Sequence, residues 1–122
     1  MKLRLRGDTM RLRLTRSEIE SVGQGSPVCE CTHFPDGTQL SYRLRLGERN
    51  FASLTAADGG QEICVEIDAI SAARWANSDE IGFSGDTPFT VGPLAILIEK
   101  DFTCITPRQG DEALDTYPNP NA

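Results

Sequence analysis

The sequence predicts an α+β domain, mainly antiparallel, with about seven or eight strands and two short helices. Most of the chain alternates apolar and polar residues with a period of two, and turns rich in glycine separate these stretches at short intervals. Signals for the start of a helix occur at only two places. Because connections of hairpin length join antiparallel neighbours, we expect a meander sheet or a partly closed barrel rather than a doubly wound sheet.

Two basic strands are predicted first in the chain. Residues 2–6 and 10–14 alternate apolar with basic side chains, and the segment between them contains a glycine suited to a tight hairpin. Thr15 and Glu18 then have the spacing of a capping box, which predicts a short helix that ends at Gly23. Ile19 and Val22 are expected to face the core.

Four further strands are predicted, separated by turns rich in glycine, aspartate and asparagine: residues 28–34, 40–46, 51–54 and 62–67. In the second of these, the leucines point to one face while Arg43 and Arg45 point to the other. In the last, Glu62, Cys64 and Glu66 are expected to face outwards.

Asp68 is predicted to cap a second helix over residues 69–77, with Ile70, Ala73 and Trp75 as candidate packing residues. The sequence then predicts a short strand, a loop rich in glycine and proline, and a closing strand or two strands that meet at a bend near Lys100: residues 80–83, 84–93 and 94–106.

Residues 1–106 are therefore predicted to form a single domain. Residues 107–122 are polar, acidic and proline-bearing with little to bury, which predicts a flexible tail. No segment is apolar over the ~20 residues that a membrane-spanning helix needs, and charged residues interrupt the position where a secretory apolar region would follow. We expect a cytoplasmic protein with reduced thiols and no membrane contact.

The net charge of −6 is unevenly distributed. Residues 1–50 carry nine basic and six acidic side chains, whereas residues 51–122 carry three basic and twelve acidic ones. An acidic protein is not an obvious nucleic-acid binder, but a local positive face could still bind an anion.

Outward positions of three predicted strands hold seven basic residues: Lys2, Arg4, Arg6, Arg11, Arg13, Arg43 and Arg45. If those strands are neighbours, they form a cationic face for a nucleic acid or an acidic protein segment. The alternative is that Glu30, Glu62 and Glu66 interleave with the arginines, since like charges side by side destabilise a sheet. Exposed pairs of that kind contribute only ~0–1 kcal/mol each.

Cys29, Cys31 and His33 lie in a Cys-x-Cys-x-His segment that resembles the start of a transition-metal site. On a straight strand the first and last Cα atoms are about 13 Å apart, whereas one zinc ion bridges a cysteine and a histidine over about 9–10 Å. The three residues therefore require a bulge to share one ion, and further ligands would have to come from Cys64 or Cys104. The alternative is structural thiols and a strand-end histidine, and no cofactor is expected.

Catalysis finds little support in the motifs. His33 is the chain's one histidine, no nearby segment supplies its nucleophile, and no glycine-rich nucleotide loop occurs. Glu62 and Glu66 could act as acid and base but are better explained as partners of arginines. We expect a non-catalytic binding module with a basic sheet face.

Three segments together resemble a small family of uncharacterised bacterial proteins: KLRLRGDTMRLRLTRSEIE, RWANSDEIGF and LIEKDFTCI. The resemblance covers nearly the whole chain and implies a stand-alone cytosolic domain, with no established activity or ligand. The family pattern does not require cysteine at positions 29 and 31.

The first twenty residues are also similar to the swapped hairpin of antitoxin and transition-state regulators that bind DNA as dimers. That similarity implies that Arg4, Arg6, Arg11 and Arg13 contact phosphates. A DNA-binding regulator is therefore the leading alternative function.

Overall fold

The computed structural model describes residues 1–85 and 87–101, and these contain eight strands and two helices. In chain order the elements are β1 (Lys2–Arg6), β2 (Thr9–Leu14), α1 (Arg16–Gly23), β3 (Val28–His33), β4 (Gln39–Gly47), β5 (Phe51–Ala57), β6 (Gly60–Asp68), α2 (Ala69–Ala76), β7 (Phe89–Val91) and β8 (Leu94–Lys100). The predicted α+β class and its two short helices are confirmed.

The strands form two sheets of four, each within its own compact unit. The first unit combines Met1–Glu20 with the described residues from Asp79 to Asp101, and its sheet has the order β1-β2-β8-β7. The second unit is Ser21–Ser78, and its sheet has the order β3-β4-β6-β5. Neither sheet closes into a barrel.

Both sheets have the same topology, in which two antiparallel hairpins meet along a parallel central pair. β2 pairs with β8, and β4 pairs with β6, in parallel, while the outer strands pair antiparallel with their neighbours. This differs from the predicted meander. In the first sheet, the parallel partner of β2 lies some 80 residues later in the chain, beyond the whole second unit.

The core of the first unit lies under the central pair. Met10, Leu12 and Leu14 of β2 alternate inwards and pair in register with Ile96, Ile98 and Lys100 of β8. Leu12, Leu14, Ile96 and Ile98 are each no more than 1% exposed. Burial of a leucine or isoleucine side chain contributes about 1.5–3 kcal/mol, so this pair of strands holds the sheet together.

The second unit repeats that arrangement with different side chains. Leu44 of β4 pairs with Val65 of β6, and Leu46 pairs with Ile67. Ile63, Val65 and Ile67 are buried on the face that was predicted for them. Trp75 and Ala72 of α2 are also buried.

Both helices begin at the predicted caps. The Thr15 backbone amide donates to Glu18 Oε1 over 2.9 Å, and the Glu18 amide donates to Thr15 Oγ1 over 3.4 Å, which is the reciprocal capping box. The buried side chains of Ile19 and Val22 agree with the prediction for α1.

Asp68 caps α2 by accepting from the Ile70 and Ser71 amides and from the Ser71 hydroxyl. Two of the packing residues predicted for this helix are wrong, because Ile70 is 81% exposed and Ala73 is also exposed. Ala72 and Trp75, three residues apart, make the buried side of this two-turn helix instead.

The segment before β8 also differs from the prediction. Residues 80–83 form no strand and contribute only an isolated bridge between Gly82 and Glu99. The predicted loop contains β7, a three-residue strand between two prolines, whose Val91 pairs with Leu94 across a tight turn. Gly92 takes a φ of +57° in that turn, which a glycine adopts without strain.

Among residues 1–85 and 87–101, no helix has the length and apolar content needed to cross a bilayer. The predicted tail, residues 107–122, lies outside the described residues, and so does the end of the predicted closing strand. The prediction that residues 1–106 form one domain stays a prediction.

Replacing a leucine on the central pair should destabilise the protein far more than replacing one on an outer strand. Leu44 is fully buried and Leu54 is 61% exposed. We expect Leu44→Ala to lower the free energy of unfolding by about 2–5 kcal/mol and Leu54→Ala by less than about 0.5 kcal/mol, measured by urea denaturation. Similar losses in both variants would contradict the assignment of the core.

The cap of α2 should make stability depend on acid pH. The hydroxyl and amide of Ser71, together with the Ile70 amide and Arg74, lower the pKa of Asp68. A carboxyl whose pKa is lowered by folding contributes stability above its unfolded pKa, and that contribution is lost as the pH falls through the folded value. We expect the stability difference between the wild type and Asp68→Asn to shrink on acidification, whereas a difference independent of pH would exclude this role for the charge.

Candidate anion-binding site

Five basic side chains lie on one face of the first sheet, opposite the core, and we call this set the basic face: Lys2, Arg4, Arg6, Arg11 and Arg13. β1 supplies the first three and β2 supplies the last two. The antiparallel register sets Lys2 opposite Arg13 and Arg4 opposite Arg11. Strand alternation therefore gathers these charges on one surface while the leucines between them face the other way.

One glutamate on β8 serves both arginines of β2. Glu99 Oε1 lies 2.5 Å from Arg11 Nε and 3.7 Å from Arg13 Nε. Lys2 Nζ lies 3.3 Å from Asp101 Oδ2, at the far end of β8. These pairs are partly exposed, so each contributes about 0–1 kcal/mol, and two carboxylates are shared among three cations.

Arg4 and Arg6 carry the uncompensated charge of the basic face. Both side chains are exposed, and within residues 1–85 and 87–101 neither makes an ion pair. Arg4 stands directly opposite Arg11, and like charges in that position destabilise a sheet. Glu99 offsets the charge of Arg11, but within the described part of the first unit no carboxylate pairs with Arg4 or Arg6.

Arg43 and Arg45 do not share a sheet with the other five predicted residues. They lie on β4, which pairs with β3 and β6 rather than with β1 or β2. The condition for one cationic face, that the three strands are neighbours, is therefore not met. Alternation could not predict the order of the strands, because it fixes the face on which a side chain lies but not which strand is its neighbour.

The arginines of β4 are neutralised by glutamates of β6, as the alternative interpretation predicted. Arg43 Nε lies 2.9 Å from Glu62 Oε1, although the contact does not have hydrogen-bond geometry, and Arg45 Nη2 donates to Glu66 Oε2 over 3.3 Å. Glu30 takes no part in this face, because it pairs in register with Tyr42 and points to the opposite side.

Cys29, Cys31 and His33 lie on one face of β3, at the edge of the second sheet. Cys31 Sγ is 3.8 Å from His33 Nε2 and 3.4 Å from Gln39 Oε1. Within residues 1–85 and 87–101, no three cysteine, histidine or acidic side chains are arranged to hold one metal ion. The fourth thiol, Cys104, lies outside the described residues.

The thiols border an open depression of about 270 Å³ on the second sheet, lined in part by Cys29, Cys31, Arg43 and Glu62. Burial raises the pKa of the neighbouring Cys64, although Arg45 and Arg43 oppose that shift. A raised pKa keeps a cysteine as the thiol, which is a poor nucleophile and a poor metal ligand. Cys64, which does not line the depression, is therefore not an activated nucleophile.

Lys100 is a buried charged residue, although its sequence context predicted only a possible bend near it. It follows Ile96 and Ile98 in the same alternation, pairs with Leu14, and is 4% exposed. The equivalent position in the second sheet is Ile67, which pairs with Leu46. Burial lowers the pKa of Lys100, while Asp79 and Glu80 oppose that shift. Its position in the apolar alternation was the signal that could have predicted its burial.

The comparisons with known proteins give a family but no activity. The model of a family of unknown function, DUF7009, matches residues 1–121. The search of curated proteins and the search of solved structures both found no match. The expected membership of a family without an established function is confirmed.

Removing the buried charge of Lys100 should change how stability depends on alkaline pH. Because the folded-state pKa is lowered, the unfolded chain binds more protons between the two pKa values, and wild-type stability rises as the pH rises through that interval. We expect Lys100→Met to lose this slope, because methionine has no ammonium group to titrate. Urea denaturation of both proteins at several alkaline pH values measures it, and a slope that persists in Lys100→Met would contradict it.

Proposed function

Because the chain belongs to this family of unknown function and inherits no activity from it, we propose its function from its own charged surface. The protein is a non-catalytic binding module, and its basic face takes an anionic partner. The observation that carries the proposal is that Arg4 and Arg6 are exposed beside Arg11 and have no carboxylate partner in the part of the chain that the structure describes.

The second sheet serves as an internal comparison for this argument. Both sheets contain the tetrapeptide Arg-Leu-Arg-Leu on a central strand, at residues 11–14 and 43–46. In the second sheet each arginine has its own glutamate, at 2.9 Å and 3.3 Å. In the first sheet two arginines share Glu99, and β1 adds three more cations. A face that served stability alone would be balanced like the second one.

Guanidinium groups suit this role chemically. Arginine stays charged at all physiological pH values and offers several donors in a planar fork that matches a carboxylate or a phosphate. Arg4 and Arg6 are two residues apart on one strand, so their side chains point the same way and can contact successive anionic groups of an extended partner.

Duplex DNA is the second candidate partner. Its support is that all five basic residues belong to one hairpin, β1–β2, whose turn is only two residues long. The hairpin forms one half of a four-stranded sheet, so its basic side chains would contact phosphates of the duplex backbone from the face of that sheet. Phosphate contacts would make the affinity strongly dependent on salt.

Reversing the two uncompensated charges should abolish most of the binding. We expect Arg4→Glu with Arg6→Glu to weaken binding of a polyanion by at least about tenfold, because two attractive contacts become repulsive. Fluorescence anisotropy with labelled polyglutamate and with duplex DNA, each over a series of salt concentrations, measures the effect and ranks the two partner classes.

The matched control is Arg49→Glu with Arg74→Glu, which changes the net charge equally at exposed positions of the second unit. This control should bind nearly as the wild type does. Equal losses in both double variants would mean that only net charge matters, and no binding of either polyanion would refute the proposal.

A further inference from the structure

Among the described strands, β1 is the outer strand of its sheet and pairs only with β2. Arg6 pairs with Thr9 across a two-residue turn in which Gly7 has a φ of +54°. In such a hairpin the flanking pair is hydrogen-bonded and the pairs alternate from there. The backbone groups of Lys2, Arg4 and Arg6 therefore point to β2, while those of Leu3 and Leu5 point to the open edge.

The side chains along this edge alternate in chemistry as well. The basic residues of β1 lie on the outer face, and Leu3 and Leu5 lie on the other face, where Leu5 is 53% exposed. Within residues 1–85 and 87–101, no other segment forms backbone hydrogen bonds with this edge. A strand added here would meet a cation and a leucine at alternate positions.

We propose that the basic face recognises its partner by strand addition, in which an extended protein segment that alternates acidic and apolar residues pairs with β1. This inference rests on the proposed function and names its partner class. Backbone hydrogen bonds to Leu3 and Leu5 supply affinity, and alternate side chains supply specificity. Acidic residues of the partner lie opposite Lys2, Arg4 and Arg6, about 4.5–5.5 Å away between Cβ atoms, and its apolar residues cover Leu5.

The other occupants fit this edge less well. A second copy of β1 would bring its own basic row beside this one, and like charges on adjacent strands repel. Basic residues on an outer strand are a common protection against such self-association. A nucleic acid would satisfy the cations but would leave the backbone groups of the edge and the apolar surface of Leu5 unused. An acidic, alternating strand uses all three features.

Four peptides of about eight residues, of three types, test the backbone pairing with the protein unchanged. The first alternates glutamate and valine, and the second has the same composition with the glutamates grouped at one end. The third type is the alternating peptide N-methylated either at its valines or at its glutamates. Isothermal titration calorimetry or anisotropy gives their dissociation constants.

We expect the alternating peptide to bind about tenfold more tightly than the grouped one, and one methylated form to lose about tenfold while the other binds as the parent. Methylation of the valines blocks an added strand that is antiparallel to β1, and methylation of the glutamates blocks a parallel one. Equal binding by the two methylated peptides overturns strand addition.

The protein offers a matched pair of variants for the same question. Leu5→Pro removes an outward-pointing amide and the leucine side chain, whereas Leu5→Ala removes the side chain alone. Proline is tolerated on an outer strand where the amide faces solvent. We expect the proline variant to bind the alternating peptide about tenfold more weakly than the alanine variant, and circular dichroism verifies that both are folded.

The outcomes separate the two proposals. If both methylated peptides and the grouped peptide bind alike, and Arg4→Glu with Arg6→Glu still abolishes binding, strand addition is wrong and the anion-binding function stands. If duplex DNA binds more tightly than the alternating peptide and Leu5→Pro has no effect on the binding of DNA, the partner is a nucleic acid. If the wild type binds none of these probes, both proposals fall.

Discussion

The parallel pairing of two central strands is the constraint on which each sheet depends. On the inner face, leucine meets isoleucine or valine in register, as Leu12 does with Ile98 and Leu44 with Val65. On the outer face, the same register sets Arg13 opposite Glu99 and Arg45 opposite Glu66. The buried face supplies most of the stability, because exposed ion pairs contribute little. The charged face is therefore free to vary without loss of the fold.

The two units differ in the charge of that outer face, although their topology and their Arg-Leu-Arg-Leu strands are the same. The second unit balances its arginines with glutamates, and the edge strand beside β4, which is β3, contains no lysine or arginine. The first adds a cationic edge strand and buries Lys100 where the second has Ile67. The first unit therefore carries more positive charge than its fold requires, and this difference makes the first sheet the better candidate for binding.

Sequence alternation was sufficient to predict what depends on local structure. The faces of β1, β2, β4 and β6, the caps at Thr15 and Asp68, and the partnership of Glu62 and Glu66 with arginines all follow from neighbouring residues. The pairing of β2 with β8 does not, because the two strands are separated by a complete second unit. A period-two pattern predicts which side chains of a strand face the core, but it does not predict which strand lies beside it. The pattern could therefore not predict that the seven basic residues lie in two different sheets.

The open edge of an outer strand can pair with a second copy of the protein, and a sheet can prevent this in more than one way. The charges protect the open edge from pairing with a second copy, but a sheet can obtain that protection from a single lysine or a bulge. Three cations on β1 exceed that need. Lys2 pairs with Asp101 and Arg11 pairs with Glu99, but Arg4 and Arg6 repel each other and have no carboxylate partner among the described residues. An acidic strand relieves the repulsion and completes the backbone pairing in one step. The repulsion that excludes a second copy thus favours a partner of opposite charge, so that the same residues provide both protection and selectivity.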